Sequence, residues 1–267
     1  MKRAFIYLIT FVAIQLVVTY AVIIPWLACD SSMSQALADI SQGNVSFTAP
    51  MLLVTSTAYS VVVLIVFLWA RWCRLSPSYL RTRPWGVFFW VVIAALGTLL
   101  PSQALLEWLN LPDVNAALFA EMLSSPWGYV ALCLLAPLAE EVVFRGAILR
   151  SLMGSLRSSW VAIALSAILF ALVHANPAQM PHAFLIGLLM GWMYYRTGSI
   201  LPGVLLHWVN NTVAYVSVNI MPGMSDMTLE QVFGSTQRVL MAVGFSLCLL
   251  LPAIFQLQQR MRHADHA

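Results

Sequence analysis

Apolar residues along the 267-residue chain run in long uninterrupted blocks separated by short polar intervals. About eight such blocks can be read, at 4–27, 51–70, 85–100, 127–149, 160–176, 182–196, 200–218 and 239–257. Each approaches the ~20 residues that an α-helix needs to cross a bilayer core. The pattern predicts an all-α fold, a polytopic transmembrane helix bundle of about eight spans. The blocks at 85–100, 160–176 and 182–196 are short, and Pro177 and Pro181 separate the last two. A broken or re-entrant geometry is expected there, since irregular backbone is tolerated at membrane depth only where protein or water satisfies it.

Composition agrees with the pattern. Hydrophobic residues make up 61% of the chain and Asp, Glu, Lys and Arg only 9%, against about 25% charged in a soluble domain. With a mean hydropathy of +0.86, there is too little polar surface to cover a water-soluble core of this size. The four cysteines, Cys29, Cys73, Cys133 and Cys248, show no CxxC spacing and read as packing residues, not as a disulfide or metal set. Cys29 after Leu27-Ala28 faintly resembles a lipoprotein cleavage site, but Trp26 and the length of the block favour an uncleaved first helix.

The charges then set orientation. Lys2, Arg3, Arg71, Arg74, Arg81, Arg83, Arg150, Arg157, Arg196, Arg260 and Arg262 all fall on one side if the blocks alternate. The opposite loops hold Asp30, Asp39, Glu107, Asp113, Glu121, Asp226 and Glu230, with Arg238 the lone base. The positive-inside rule places both termini in the cytoplasm. The net charge of +3 reflects that orientation, and no basic patch points to nucleic acid.

Subtracting the loop charges leaves Glu140, Glu141 and Arg145 within the membrane, in LAEEVVFRG, and the blocks also hold His174 and His207 with Asn210 and Asn211. An ionisable group at the bilayer centre costs about 2.5–3.5 kcal/mol even on the lenient insertion scale, so such groups are functional candidates by default. Glu141 and Arg145 are four apart and can neutralise each other on one helix face. Glu140 is rotated by ~100° from its neighbour and must face something else. His207 and Asn211 are likewise four apart; Asn210, three from His207, is the alternative. At 1.5 Å per residue, Glu140 stands ~15 Å above Arg150, His174 ~21 Å above Trp160 and His207 ~11 Å above Ile200. These overlapping depths allow one intramembrane cavity, slightly nearer the cytoplasm than the midplane.

Desolvation makes a carboxylate a better proton acceptor, which suits a general base for water. His174 could share the proton, and His207 with Asn211 could donate hydrogen bonds to an oxyanion. Together they would supply peptide hydrolysis without a covalent intermediate. Glu140, His174 and His207 could instead ligate zinc, since three protein ligands plus water is the catalytic pattern. The residues alone leave both chemistries open.

Glu140-Glu141-x-x-x-Arg145, Phe170-x-x-x-His174 and His207-x-x-x-Asn211, in that order, resemble the CPBP family of intramembrane endopeptidases, the group of CAAX prenyl endopeptidases and bacteriocin-processing or Abi proteins. The resemblance runs from about 127 to 218. It implies three regions: N-terminal helices and loops with about three spans (1–126), a catalytic helical core (127–218), and an outer loop, last helix and cytoplasmic tail (219–267). It implies Glu140 as catalytic base, His174 as its partner, His207 and Asn211 as the oxyanion pair, and Glu141 and Arg145 as structural support. It implies a glutamic-type mechanism without a cofactor, zinc dependence standing second. HExxH and paired YD and GxGD are missing from the sequence, against the zinc and aspartyl intramembrane protease classes.

The expected partners are the bilayer and a membrane-associated protein or peptide substrate, with no nucleic acid; the setting is multi-pass in a bacterial inner membrane. The competing reading is a non-catalytic membrane protein, an immunity factor or transporter, that uses the same buried polar groups for binding. Among the remaining features, Gly187 and Gly191 form a GxxxG expected to pack helices closely. Trp26, Trp85, Trp127 and Trp160 read as interfacial anchors. His182 is expected at the interface, and His263 and His266 in a solvated tail.

Overall fold

A computed structural model of the chain describes residues 1–73, 78–81, 83–221, 223 and 227–263, with Asp30 and Ser78 described by backbone only. Arg74, Asp226, Asp265 and His266 lie outside the described residues, as does the side chain of Asp30. Among the described residues all regular structure is helical. Helix α1 (Lys2–Asp30) is followed by a short α2 (Met33–Gln42), α3 (Ala49–Trp69), α4 (Ser78–Arg81), α5 (Trp85–Leu109) and α6 (Ala116–Ser124). Next, α7 (Pro126–Gly128), a π-helical stretch (Tyr129–Leu135), α8 (Ala136–Glu141), a second π-helical stretch (Val142–Leu149) and α9 (Arg150–Met153) join without a break as one rod, 126–153. The chain ends in α10 (Ser159–Leu172), α11 (Met180–Thr197), α12 (Leu201–Ile220), α13 (Leu229–Phe233) and α14 (Thr236–Arg260).

Each of the eight apolar blocks coincides with helix: α1, α3, α5, the rod, α10, α11, α12 and α14. Four of these, α1, α3, α5 and α14, are long and apolar enough to cross a membrane. The break expected near Pro177 is present: α10 stops at Leu172 and α11 starts at Met180, with Ala175 at a positive φ of 50° between them. The block read as 85–100 ends later than its hydropathy implied. Helix α5 runs through Pro101 to Leu109, and Glu107, expected in a loop, lies in its last turns and accepts from the Leu229 N–H at 2.8 Å.

The rod is the core. Every residue of Val142–Leu149 is buried, as expected for a helix surrounded on all sides, and α1, α3, α10 and α12 pack around it. Small residues set the closest approaches. A Cβ on Gly191 would stand 2.9 Å from Ile163 Cγ2 and one on Gly187 3.2 Å from Ala167 Cβ, so the GxxxG face of α11 lies directly on α10. A Cβ on Gly97 would stand 2.8 Å from the Leu250 backbone nitrogen, which fixes α5 against α14. Outward faces carry exposed Leu16, Val17, Ile65, Phe245, Leu251 and Phe255, as expected of a lipid-facing surface. Trp26, Trp85, Trp127 and Trp160 are also exposed.

The basic residues gather at one end. The Met1 amine donates to Ser155 Oγ, Arg150 Nη2 to the Trp72 carbonyl and Arg196 Nη2 to the Gln258 carbonyl. Acidic groups mark the other end, where Asp113 accepts from Asn176 Nδ2 at 2.8 Å and from the Asn115 N–H at 3.0 Å. His263 is not in a solvated tail: its ring closes on the α11–α12 turn, where a Cβ on Gly198 would meet it at 2.8 Å. Among the described residues the cysteines are free, Cys73 and Cys133 buried and Cys29 and Cys248 exposed. Burial pushes the Cys73 thiol, beyond the end of α3, up to about 11.

Candidate active site

The two carboxylates stand on α8, between the π-helical stretches of the rod. Such i→i+5 turns are rare and concentrate at functional positions. Pro137, in the first turn of α8, has no N–H to donate into the turn before it, which is where the first wide stretch ends. Gly146, in the second stretch, leaves room for Cys73: a Cβ there would meet Sγ at 2.2 Å.

Glu141 and Arg145 form the ion pair expected from their spacing, both without solvent exposure. Arg145 Nη1 donates to Glu141 Oε1, Nη2 donates to the Gly187 carbonyl at 3.1 Å, and the guanidinium carbon lies 4.4 Å from the Phe170 ring centre. The pair thus links the rod to α11 and α10. It also requires a glycine on α12, because a Cβ at Gly203 would stand 2.5 Å from Glu141 Oε2.

His207, buried on α12, projects its ring between the two carboxylates. Nε2 lies 3.8 Å from Glu140 Oε2 and Nδ1 lies 3.7 Å from Glu141 Oε1. Its ring stands edge-on to Phe170 at 5.8 Å. His174 sits in the turn that ends α10, with Nδ1 2.8 Å from the Phe170 carbonyl and its ring 4.9 Å from the Phe170 ring. If Nδ1 donates to that carbonyl, Nε2 is left as the basic nitrogen. No hydrogen bond or ion pair joins His174 to Glu140 among the described residues. Phe170 therefore stacks under the arginine and borders both imidazoles, a role that its place four residues before His174 allowed but did not announce.

Asn211 is tied to the rod. Its Nδ2 donates to the Leu132 carbonyl at 2.9 Å, its Oδ1 accepts from Asn210 Nδ2 at 3.2 Å, and its own carbonyl accepts from Cys133 Sγ at 3.3 Å. Asn210 Oδ1 in turn lies 3.1 Å from His182 Nε2. His182, expected at the interface, is thus joined to the amide pair and lies within electrostatic reach of His207 and His174. Tyr59 of α3 is also near enough to Glu140 to feel its charge. Neither His182 nor Tyr59 carried a sequence signal beyond being polar inside an apolar segment. Among the described residues, no three His, Cys, Asp or Glu side chains are grouped so that they could hold a metal ion. The zinc set Glu140, His174 and His207 does not come together as ligands here.

Residues 122–213 match the family described as Type II CAAX prenyl endopeptidase Rce1-like. The match covers about a third of the chain and contains all three motifs, Glu140 to Arg145, Phe170 to His174 and His207 to Asn211. The resemblance read from those motifs is thereby borne out over this segment, and the family it points to is one of proteases. No curated protein and no solved structure matches the chain.

Proposed function

We propose that this protein is an intramembrane endopeptidase that hydrolyses a peptide bond of a membrane-associated protein or peptide with water activated by Glu140. The observation that carries the reading is the buried His207 ring set 3.8 Å from Glu140 and 3.7 Å from Glu141, inside the segment that matches a protease family. Exposure separates the two acids: the Glu140 side chain is 15% exposed and that of Glu141 is not exposed at all. Water can reach the first; the second is committed to Arg145.

In this mechanism Glu140 takes a proton from water as the oxygen adds to the scissile carbonyl carbon. The carbonyl electrons move to oxygen, and the oxyanion is held by hydrogen bonds from His207 and Asn211. The tetrahedral intermediate collapses with cleavage of the C–N bond, and the proton on Glu140, shared with His174, passes to the leaving amine. Glu141 and Arg145 hold the rod, α10 and α11 in register. The basic end of the bundle faces the cytoplasm, in a bacterial inner membrane, and no resident metal takes part.

One observation favours the second reading, a non-catalytic binding protein or transporter: the Asn211 amide already has partners at both ends, Leu132 and Asn210. Glu140→Gln separates the two. Comparison of membrane peptidomes from wild-type and Glu140→Gln cells is expected to show uncut substrates accumulating in the variant. Full cleavage by both Glu140→Gln and His174→Ala would overturn the enzymatic assignment. Metal analysis and chelator titration test the metal-free mechanism, which loss of activity on chelation would sink.

A further inference from the structure

We propose that the basic end of the bundle carries a preformed pocket for a phosphate oxyanion, separate from the Glu140 site. A cavity of about 520 Å³ lies between the first turns of α1 and the end of the rod, lined by Lys2, Arg3, Tyr7, Arg150, Ser151 and Ser155 among others. Three cationic side chains share it, and no carboxylate lines it. Like charges gathered in one cavity repel each other unless an anion joins them.

Arg150 supplies the second observation. Its Nη2 donates to the Trp72 carbonyl at 2.9 Å, which fixes the guanidinium, while its Nη1 is buried with no hydrogen-bond partner. A buried guanidinium donor without an acceptor leaves the Arg150 charge uncompensated, and Arg150 lines the cavity together with Lys2 and Arg3. Ser151 and Ser155 stand four apart at the end of the rod, and the Met1 amine donates to Ser155 Oγ at 2.7 Å, pinning α1 to the rod.

The volume falls within the range of small-molecule sites, about 300–1,000 Å³, and leaves room for more than one bare ion. Basic pockets between transmembrane helices on the cytoplasmic side take phospholipid headgroups, each Lys or Arg near the surface contributing about 1 kcal/mol. The shared chemistry is a phosphate group, carried either by an anionic lipid or by free phosphate.

The test uses the full-length protein in phosphatidylcholine nanodiscs. Thermal stability and native mass spectra are followed on adding short-chain phosphatidylglycerol, short-chain phosphatidylcholine or inorganic phosphate. Binding of phosphatidylglycerol over phosphatidylcholine is expected, identifying a lipid headgroup; binding of inorganic phosphate alone would support the pocket with a free anion as its source. Lys2→Gln/Arg3→Gln, two exposed positions that leave the core intact, should weaken binding about 25-fold, roughly fivefold per charge removed. Arg150→Gln should weaken it as well. Arg81→Gln/Arg83→Gln, which removes equal charge at the same end but outside the pocket, should leave it unchanged. Equal losses from the two double variants would reduce the effect to general surface charge and overturn the proposal. So would absence of binding by both phosphatidylglycerol and inorganic phosphate.

Discussion

Replacing Arg145 by methionine strips Glu141 of its counter-ion at a position with no solvent contact. Removing one partner of a buried pair typically destabilises by about 3–5 kcal/mol, a fall of about 2 × 10² to 5 × 10³ in the folded-to-unfolded ratio. The same substitution also removes the second donor to the Gly187 carbonyl, which keeps its place in the α11 ladder, and empties the face of Phe170. Removing both charges, in Glu141→Gln/Arg145→Met, avoids the unpaired ion and leaves mainly the loss of the guanidinium hydrogen bond to Gly187, worth about 1.5–3 kcal/mol. The double variant should therefore be more stable than Arg145→Met alone. Reversible unfolding in mixed micelles, titrated with dodecyl sulfate and followed by circular dichroism, measures Arg145→Met, Glu141→Gln and the double variant. The ion-pair reasoning is refuted if the double variant is as unstable as the two single substitutions added together, or if Arg145→Met costs less than about 1 kcal/mol.

Further outcomes are expected at neighbouring positions. Glu140→Gln should lower turnover by about 10²- to 10⁴-fold in a cleavage assay while leaving dodecyl sulfate unfolding nearly unchanged. His207→Ala should lower turnover too, but also destabilise, since the ring is buried against Phe170. His182→Ala should loosen the Asn210–Asn211 pair and reduce turnover by up to about 100-fold, and His182→Gln, whose amide can donate to Asn210 Oδ1, should restore it; equal loss in both would remove His182 as a positioning residue. Gly203→Ala drives a methyl to 2.5 Å from Glu141 Oε2 and should destabilise more than Gly244→Ala, which meets nothing within 4 Å. Cys73 titrates at about 11 when folded against an ordinary 9.0, so its contribution to stability is complete below about pH 9 and is lost as pH rises towards 11. Maleimide labelling of the folded protein should spare Cys73 at neutral pH, and rapid labelling there would contradict its burial.

Hydropathy made the eight long helical regions legible, because a continuous apolar run of that length has few other solutions. It misjudged α5, whose last turns carry Ser102, Gln103 and Glu107 and are held by docking against α13, a contact 122 residues away in sequence. The Glu141–Arg145 pair was legible because it is local, four residues on one helix. The His182–Asn210 and Asn176–Asp113 contacts join residues 28 and 63 apart, and no periodicity encodes them. The π-helical stretches on either side of α8 were equally hidden, since a wider turn has no composition of its own. The depth argument for His174 said nothing of its orientation: its Nδ1 is directed to the Phe170 carbonyl, in the turn where the chain breaks after Leu172.

The ion pair is both the support of the site and the junction of the fold. Arg145 touches α11 through the Gly187 carbonyl and α10 through Phe170, and Glu141 touches α12 through His207 and the space left by Gly203. Any change to Glu141, Arg145 or Gly203 therefore alters four helices at once, and loss of activity in such variants says nothing about chemistry. Glu140 differs. It stands at the margin of the same cluster, partly exposed, and makes no hydrogen bond among the described residues. Glutamine there keeps the volume and removes the charge, and it breaks no hydrogen bond, His207 Nε2 standing 3.8 Å away. On the proposed mechanism the adjacent acids divide two tasks that one residue could not combine, since a carboxylate committed to holding helices together cannot also accept a proton from water. On that proposal, Glu140→Gln is the substitution expected to report on catalysis with least effect on the fold.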